Sequence, residues 1–362
     1  MIKVGLVINP IAGMGGKVGL KGTDGEMYRK AVELGAEPIT GNRIKDVLKA
    51  VNRDDLFFLT APEEMGENYL DRFKFEVVGK IGKETKQEDT KNIAQIMVDE
   101  GVELLIFVGG DGTARDILDV VGMKIPVIAI PSGVKMFSSA FVFSAHAAAE
   151  MINSFKDDFL EKEILDIDEV AFRENRLDAK FYGTVRVPNI QGLLQGKKSA
   201  SNVKFSTKNK KKEVAKYIIE NMEKDWVYIL GPGTTLKEIS DMLGINKTLL
   251  GIDAIFNKKL IGEDINEKDI FKLIDKYKNI KIIVTPIGGS GFIFGRGSRQ
   301  ISSDVLRKIG KENIIIVSTL DKVGKLENLH IDSGDYEVDK SMSGSINVII
   351  GYNEEIIMEI KY

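Results

Sequence analysis

The chain has 362 residues, enough for two domains, and its 43% hydrophobic and 29% charged residues are the balance of a soluble globular protein with a substantial core. Lys plus Arg number 51 against 54 Asp plus Glu, and this net charge of −3 argues against a nucleic-acid or membrane partner recognised mainly by global charge, while leaving a local basic patch open. The lack of cysteine excludes disulfides, thiol nucleophiles and Cys-ligated metals and fits a reducing cytoplasm, and two histidines, His146 and His330, give a His-rich metal site or a Ser-His-Asp triad little to build on.

The apolar run at 2–9 stops at Asn9-Pro10, too short for a signal peptide, and reads as a first buried strand. Further strands are predicted at 55–60, 74–79, 103–108 and 125–130, with helices at 26–36, 62–72, 88–100, 112–122 and 137–154. Val and Ile runs without alternation predict strands buried on both faces, as in a parallel sheet wound with helices. The most membrane-like stretch, 125–152, is interrupted by Pro126, Pro131, Lys135 and Glu150. Its uncharged core is shorter than the ~20 residues of a spanning helix, so it reads as a buried helix.

Past residue 155 the pattern changes. Residues 159–172 and 180–187 read as longer, half-exposed strands, and 197–212 as a polar, Lys-rich loop. The six lysines of 204–216 have no interleaved aromatic apart from Phe205, which fits a solvated surface rather than a nucleic-acid site. A βα alternation follows: strands at 226–230, 248–256, 280–285 and 313–319, helices at 235–243, 266–277 and 302–309, and a final strand at 346–351. The expected fold class is therefore α/β. A Rossmann-like parallel-sheet domain spans 1–154, and a second, β-rich mixed α/β domain spans 155–362.

Glycine is in excess, 36 residues in 362, where about 7% is average. The glycines cluster after predicted strands. Asn9-Pro10 leads into Gly13, Gly15, Gly16 and Gly19; Gly109-Gly110-Asp111-Gly112-Thr113 follows the strand at 103–108; Gly231-Pro232-Gly233-Thr234-Thr235 follows 226–230; Gly288-Gly289-Ser290-Gly291 follows 280–285, with Gly295-Arg296-Gly297 beyond. A glycine turn from strand into helix lets backbone N–H groups approach an anion, and the helix N-terminus adds partial positive charge. Such loops at the carboxyl ends of parallel strands suit phosphate. Neither the G-x-G-x-x-G fingerprint nor the G-x-x-x-x-G-K-[ST] P-loop fits.

Asp111 stands inside one of these loops. A carboxylate among phosphate-cradling amides repels phosphate unless it holds Mg²⁺ or accepts a proton from an attacking hydroxyl. The simpler alternative is an N-cap for the following helix, and one residue can serve both ends. Asp24 is a weaker candidate, since Asp-Gly is a common turn pair. Lys135 and Arg296 lie beside glycines, where a cation can neutralise transferring phosphate or merely be solvated.

With these residues in view, the sequence resembles the NAD kinase and diacylglycerol kinase superfamily, and more closely its ATP-NAD kinase-like (AcoX-like) branch. The motifs are Asn9-Pro10 with its glycines, Lys21-Gly22-Thr23-Asp24-Gly25, Gly109-Gly110-Asp111-Gly112-Thr113, Pro131-Ser132-Gly133-Val134-Lys135, Gly231-Pro232-Gly233-Thr234-Thr235 and the stretch from Gly288 to Gly297. The resemblance implies ATP with Mg²⁺ as cofactor and NAD as substrate, with transfer of the γ-phosphoryl to the 2′-hydroxyl of the adenosine ribose. It also implies catalysis by Asp111, and nucleotide contacts from Asn9, Gly13, Gly15, Gly16, Asp24, Gly109, Gly110, Gly112, Thr113, Ser132, Gly133, Lys135, Gly233, Thr234, Gly288, Gly289 and Arg296. A homo-oligomer whose partners are small-molecule nucleotides, with no nucleic acid or membrane, completes the expectation. NAD kinases also carry an Asn-Glu or Asn-Asp pair that helps hold NAD; here Asn266-Glu267 reads as a helix start and Asn353-Glu354 as a surface turn. Two alternatives stand beside NAD phosphorylation. One is an ATP- or polyphosphate-dependent kinase of another small hydroxylated metabolite, and the other a non-catalytic sensor of NAD(P) or ATP.

Overall fold

The computed structural model describes residues 1–20, 26–82, 85–132, 136–167, 179–190, 194 and 205–362. The chain divides into two units, Met1–Met14 with Gly22–Lys197 and Gly15–Lys21 with Lys198–Tyr362.

The first unit carries a sheet of β1 (Ile2–Ile8), β2 (Leu56–Thr60), β3 (Lys74–Val77), β4 (Leu104–Gly109) and β5 (Val127–Pro131). All neighbours run parallel, in the order β3-β2-β1-β4-β5. Around it lie α1 (Glu26–Glu33), α2 (Thr40–Ala50), α3 (Gln87–Asp99), α4 (Asp111–Val121) and α5 (Ala145–Asn153). Val4, Leu6 and Ile8 pack with Ile44 and Val47 of α2 and Ala148 and Ile152 of α5. Val7, Leu105 and Phe107 face the other way, onto Ile93 and Met97 of α3 and Ile117 and Val121 of α4. Burial on both faces is why these strands read as unbroken apolar runs. The strand order reverses between β1 and β4, so the loops after these two strands open at the switch point where such sheets bind ligands.

Two predicted helices of this unit take other forms, and α2 was not predicted. The segment expected as a helix over 62–72 forms two 3₁₀ turns, Glu63–Met65 and Glu67–Tyr69. Between them Gly66 presses on Thr60, where a Cβ would lie 2.1 Å from the hydroxyl oxygen. The helix expected over 137–154 begins only at Ala145, where Ser144 Oγ accepts the Ala147 N–H at 3.2 Å. The residues before it are drawn into loop contacts instead. Ser138 Oγ accepts the Leu165 N–H at 3.0 Å and Ser139 Oγ the Glu163 N–H at 3.0 Å, tying the loop to an antiparallel hairpin of β6 (Phe159–Ile167) and β7 (Ala179–Pro188). Ile164, Val185 and Val187 of that hairpin join the α3–α4 core. The compact unit consequently runs on to Lys197, past the boundary expected near residue 155.

The second unit holds a nine-stranded sheet. Its strands are β8 (Val227–Leu230), β9 (Asp253–Phe256), β10 (Lys259–Gly262), β11 (Ile280–Val284), β12 (Phe292–Phe294), β13 (Ile314–Val317), β14 (Leu329–Ile331), β15 (Gly344–Gly351) and β16 (Glu354–Lys361). The order is β10-β9-β8-β11-β13-β15-β16-β14-β12. Neighbours β8, β11, β13 and β15 run parallel, whereas β9 and β16 are antiparallel to β8 and β15. The helices are α6 (Phe205–Glu220), α7 (Thr234–Met242), α8 (Glu267–Lys276), α9 (Ser303–Ile309), α10 (Leu320–Val323) and α11 (Tyr336–Met342). One face is covered by Val214, Ala215 and Ile218 of α6 with Leu236 and Ile239 of α7. The other is covered by Ile270, Val305, Leu306 and Val338 from α8, α9 and α11. The unit is mixed α/β, as the βα alternation predicts. Two details differ from the sequence reading. Helix α6 takes the place of the second half of the expected loop at 197–212, because its inward apolar side chains outweigh its lysines; residues 197–204 lie outside the described residues. The expected strand at 248–256 shortens to β9, and the chain before it is locked by Lys247 Nζ, which reaches Asp253 Oδ2 at 2.8 Å and the Gly251 carbonyl at 3.1 Å. No helix among the described residues is long and apolar enough to cross a membrane.

Candidate functional site

In the first unit the loop after β1 is fixed by Asn9. Its backbone N–H donates to the Val108 carbonyl at 2.9 Å, its Oδ1 accepts the Ile11 N–H at 3.2 Å, and its Nδ2 donates to Thr113 Oγ1 at 3.0 Å. One side chain thus shapes its own turn and ties it to the first turn of α4. Gly109 ends β4 against the same threonine: a Cβ there would lie 2.4 Å from Thr113 Cβ and Oγ1, so no larger residue fits without displacing it. Gly13, at φ +78°, brings the β1 loop onto the end of β5, where a Cβ would lie 1.7 Å from the Ser132 carbonyl oxygen. The Ser132 side chain is fully buried, and its hydroxyl finds no hydrogen-bond partner among the described residues. Of the residues singled out from sequence, Asn9, Gly13, Gly109, Gly110, Asp111, Gly112, Thr113 and Ser132 therefore lie at the carboxyl ends of β1, β4 and β5. Gly110 is the N-cap of α4 and offers no side chain to its amides, which leaves that helix end open to an acceptor from outside.

Asp111 is the first residue of α4 and is buried. Its carboxylate bridges two elements: Oδ2 accepts the Phe137 N–H at 2.7 Å and Oδ1 the Ser138 N–H at 3.0 Å. The residue is thus a clamp on the 136–139 loop, a role that neither the cap nor the catalytic expectation contained. Further along α4, burial pushes the Asp116 carboxyl up from the usual carboxylate range, opposed by a hydrogen bond from Gln87 and the charge of Lys91. Asp119 is held low by Lys91, which donates at 2.5 Å, and by the Tyr182 hydroxyl at 2.7 Å, with the charge of Arg115 acting in the same sense.

The second unit holds the remaining described candidates. Gly15 and Gly16 close a 3₁₀ turn, Met14–Gly16, and the Gly15 carbonyl accepts the Leu20 N–H at 2.8 Å. Gly233 is the N-cap of α7, and Thr234 opens that helix. Gly288 and Gly289 lie in a 3₁₀ turn, Gly288–Ser290, that leads into β12, so this glycine cluster joins strand to strand rather than strand to helix. Arg296 is 2% exposed; its guanidinium lies 4.1 Å from the centre of the Phe292 ring and its Nε 3.6 Å from Asp332 Oδ2. That burial and pairing make it an internal cation rather than the open loop charge the sequence suggests. Asp24, Gly133 and Lys135 lie outside the described residues.

Both Asn-Glu pairs have local duties. Asn266 caps α8, accepting the Asp269 N–H at 3.1 Å in a capping box. Asn353 sits at φ +54° in the turn between β15 and β16.

Sequence reasoning missed the amides of Phe137 and Ser138, since a backbone donor leaves no mark in side-chain chemistry. It also missed Lys211, placed in a polar loop, whose ammonium donates to Thr234 Oγ1 at 2.9 Å. Lys322, on a four-residue helix with no glycine signal of its own, reaches Thr285 Oγ1 at 3.3 Å.

Two family models match the chain, the ATP-NAD kinase N-terminal domain over residues 4–158 and the ATP-NAD kinase C-terminal domain over residues 223–360. No curated protein and no solved structure matches it.

Proposed function

Because the chain belongs to the ATP-NAD kinase family and is an ATP-dependent kinase-like phosphotransferase, we propose that it moves the γ-phosphoryl of ATP to the 2′-hydroxyl of the adenosine ribose of NAD, giving NADP and ADP. The observation that carries this reading is the match of both ATP-NAD kinase domains along one chain.

Phosphoryl transfer rests on positioning and charge neutralisation more than on covalent help from the protein. The open amides at the start of α4, behind Gly109, Gly110 and Gly112, suit phosphate oxygens. Asp111 accepts the hydrogen bond of the attacking hydroxyl and takes its proton as the new O–P bond forms and the bond to ADP breaks. The amides of Phe137 and Ser138 hold that carboxylate in place for this role.

The donor set fits a Mg²⁺ carried mainly on the nucleotide. Among the described residues no group of three His, Asp or Glu side chains could hold a metal alone, and Mg²⁺ is commonly held by one or two carboxylates, water and substrate phosphates. Asp111 is the carboxylate this loop would contribute, and the ion would supply charge neutralisation at the β- and γ-phosphates.

A second reading, another hydroxylated metabolite as acceptor, is favoured by the local duties of Asn266 and Asn353. A coupled assay specific for NADP, run with Mg-ATP and NAD, separates the two. NADP formation supports the first reading; ADP release only with other acceptors supports the second.

A further inference from the structure

The parallel core of the second unit ends in a group of cations that neither domain match nor glycine motif assigns. Helix α6 carries Lys211 to the start of α7, where Nζ donates to Thr234 Oγ1 at 2.9 Å. Helix α10, which follows β13, carries Lys322 to the end of β11, where Nζ donates to Thr285 Oγ1 at 3.3 Å. The two threonines belong to one place: a Cβ on Gly233, the residue before Thr234, would lie 2.9 Å from Thr285 Cγ2. Two ammonium groups are thus directed to adjacent hydroxyls at the carboxyl ends of parallel strands β8 and β11.

Like charges side by side cost stability, and here the cost is visible. Burial, with the charge of Lys211 added, pushes the Lys322 ammonium down to about 8. Lys211 is itself lowered by burial, opposed by the charge of Glu238. Asp321, the chain neighbour of Lys322, is exposed. Among the described residues neither lysine forms an ion pair, and each ammonium uses one of its three donors on a neutral hydroxyl. Beside them, α7 begins at Gly233 without a side-chain cap, and Thr234 is exposed. Two under-compensated cations, two hydroxyls and open helix amides are what a phosphate group binds.

We propose that Lys211 and Lys322, with Thr234, Thr285 and the first turn of α7, form an anion subsite for a phosphate or pyrophosphate group. The subsite does not depend on NAD being the acceptor. The bound anion supplies the countercharge the lysines lack, so binding above pH 8 takes up a proton at Lys322.

The test is titration calorimetry of the full chain with inorganic tripolyphosphate at pH 7 and 8.5, in two buffers of different ionisation heat. Wild type is expected to bind saturably, with proton uptake at pH 8.5. Lys322→Gln abolishes the uptake and weakens binding at least tenfold, Lys211→Gln weakens it several-fold, and Lys212→Gln, an exposed lysine on the same helix, changes neither. Lys322→Gln also keeps or raises the melting temperature, because it removes a desolvated charge; a purely structural lysine would lower it. Titrations with ATP and with NAD name the source. Loss confined to ATP assigns the subsite to the donor triphosphate, loss confined to NAD to its pyrophosphate, and loss for tripolyphosphate alone to a free phosphate. Affinities within twofold of wild type for all three ligands in the Lys211→Gln/Lys322→Gln variant would overturn the subsite. None of these titrations requires NADP formation, so a failed kinase assay leaves them decisive.

Discussion

Ser138 donates its backbone N–H to Asp111 Oδ1 at 3.0 Å, and Phe137 does the same to Oδ2 at 2.7 Å. Through these bonds the carboxylate that opens α4 also fixes the loop after β5, joining two of the strand ends at which the glycine motifs gather. Asp111→Asn puts an amide NH₂ against one of these N–H donors and removes the charge. Turnover is expected to fall by about 10²–10⁴-fold, the range for a general base, while ATP affinity stays within a few-fold of wild type. Steady-state kinetics with a parallel ATP titration read the two separately. A role confined to the loop clamp would instead lower melting temperature and ATP affinity together.

Asn9 and Thr113 form a second link across the switch point, and its strength is measurable. Asn9→Ala and Thr113→Val each remove the 3.0 Å bond, and each is expected to cost about 1 kcal/mol, with a double-mutant coupling of ~0.5–1.5 kcal/mol. Denaturant unfolding of the four proteins gives the value. Full additivity would show that the bond contributes nothing.

Lys247 and Asp253 make a salt bridge at 2.8 Å with both side chains 0% exposed. Thr248 Oγ1 and the Asp264 N–H complete the carboxylate's partners at 2.9 and 3.0 Å. Lys247→Met strands a buried charge and is expected to cost about 3–5 kcal/mol, whereas Lys247→Met/Asp253→Leu recovers much of that loss. Melting temperatures of the two variants show it directly.

His330 gives the fold an acid limit. Burial, followed by the charges of Arg296 and Lys361, lowers it to about 4, against about 6.5 in an unfolded chain. Between these values the unfolded state binds a proton that the native state refuses. Stability therefore falls as pH drops from about 6.5 toward 4. His330→Phe, which keeps a ring against Phe292, is expected to flatten the melting-temperature profile over that window and leave pH 8 unchanged.

Much of this was legible in the sequence for a simple reason. Strands buried on both faces, such as Leu104–Gly109, announce themselves as apolar runs, and the glycines after them mark where backbone meets backbone, as Gly109 meets Thr113. What escaped was set by tertiary context. Lysines on the outer side of α6 conceal the inward Val214, Ala215 and Ile218. The residues from Phe137 have a helix-like composition, yet Asp111, Glu163 and Leu165 draw them into a loop. Arg296 beside its glycines looks open to a ligand until Phe292 and Asp332 enclose it. Lys211 and Lys322 meet only through the order of β8, β11 and β13, which no local pattern encodes.

The most direct measurement follows phosphorus itself. The protein is incubated with Mg-ATP and NAD, and the reaction is monitored by ³¹P NMR. A 2′-phosphomonoester signal growing in step with ADP, and absent with Asp111→Asn, is the predicted result. ADP without that signal, or no consumption of ATP at all, would contradict NAD phosphorylation at this site.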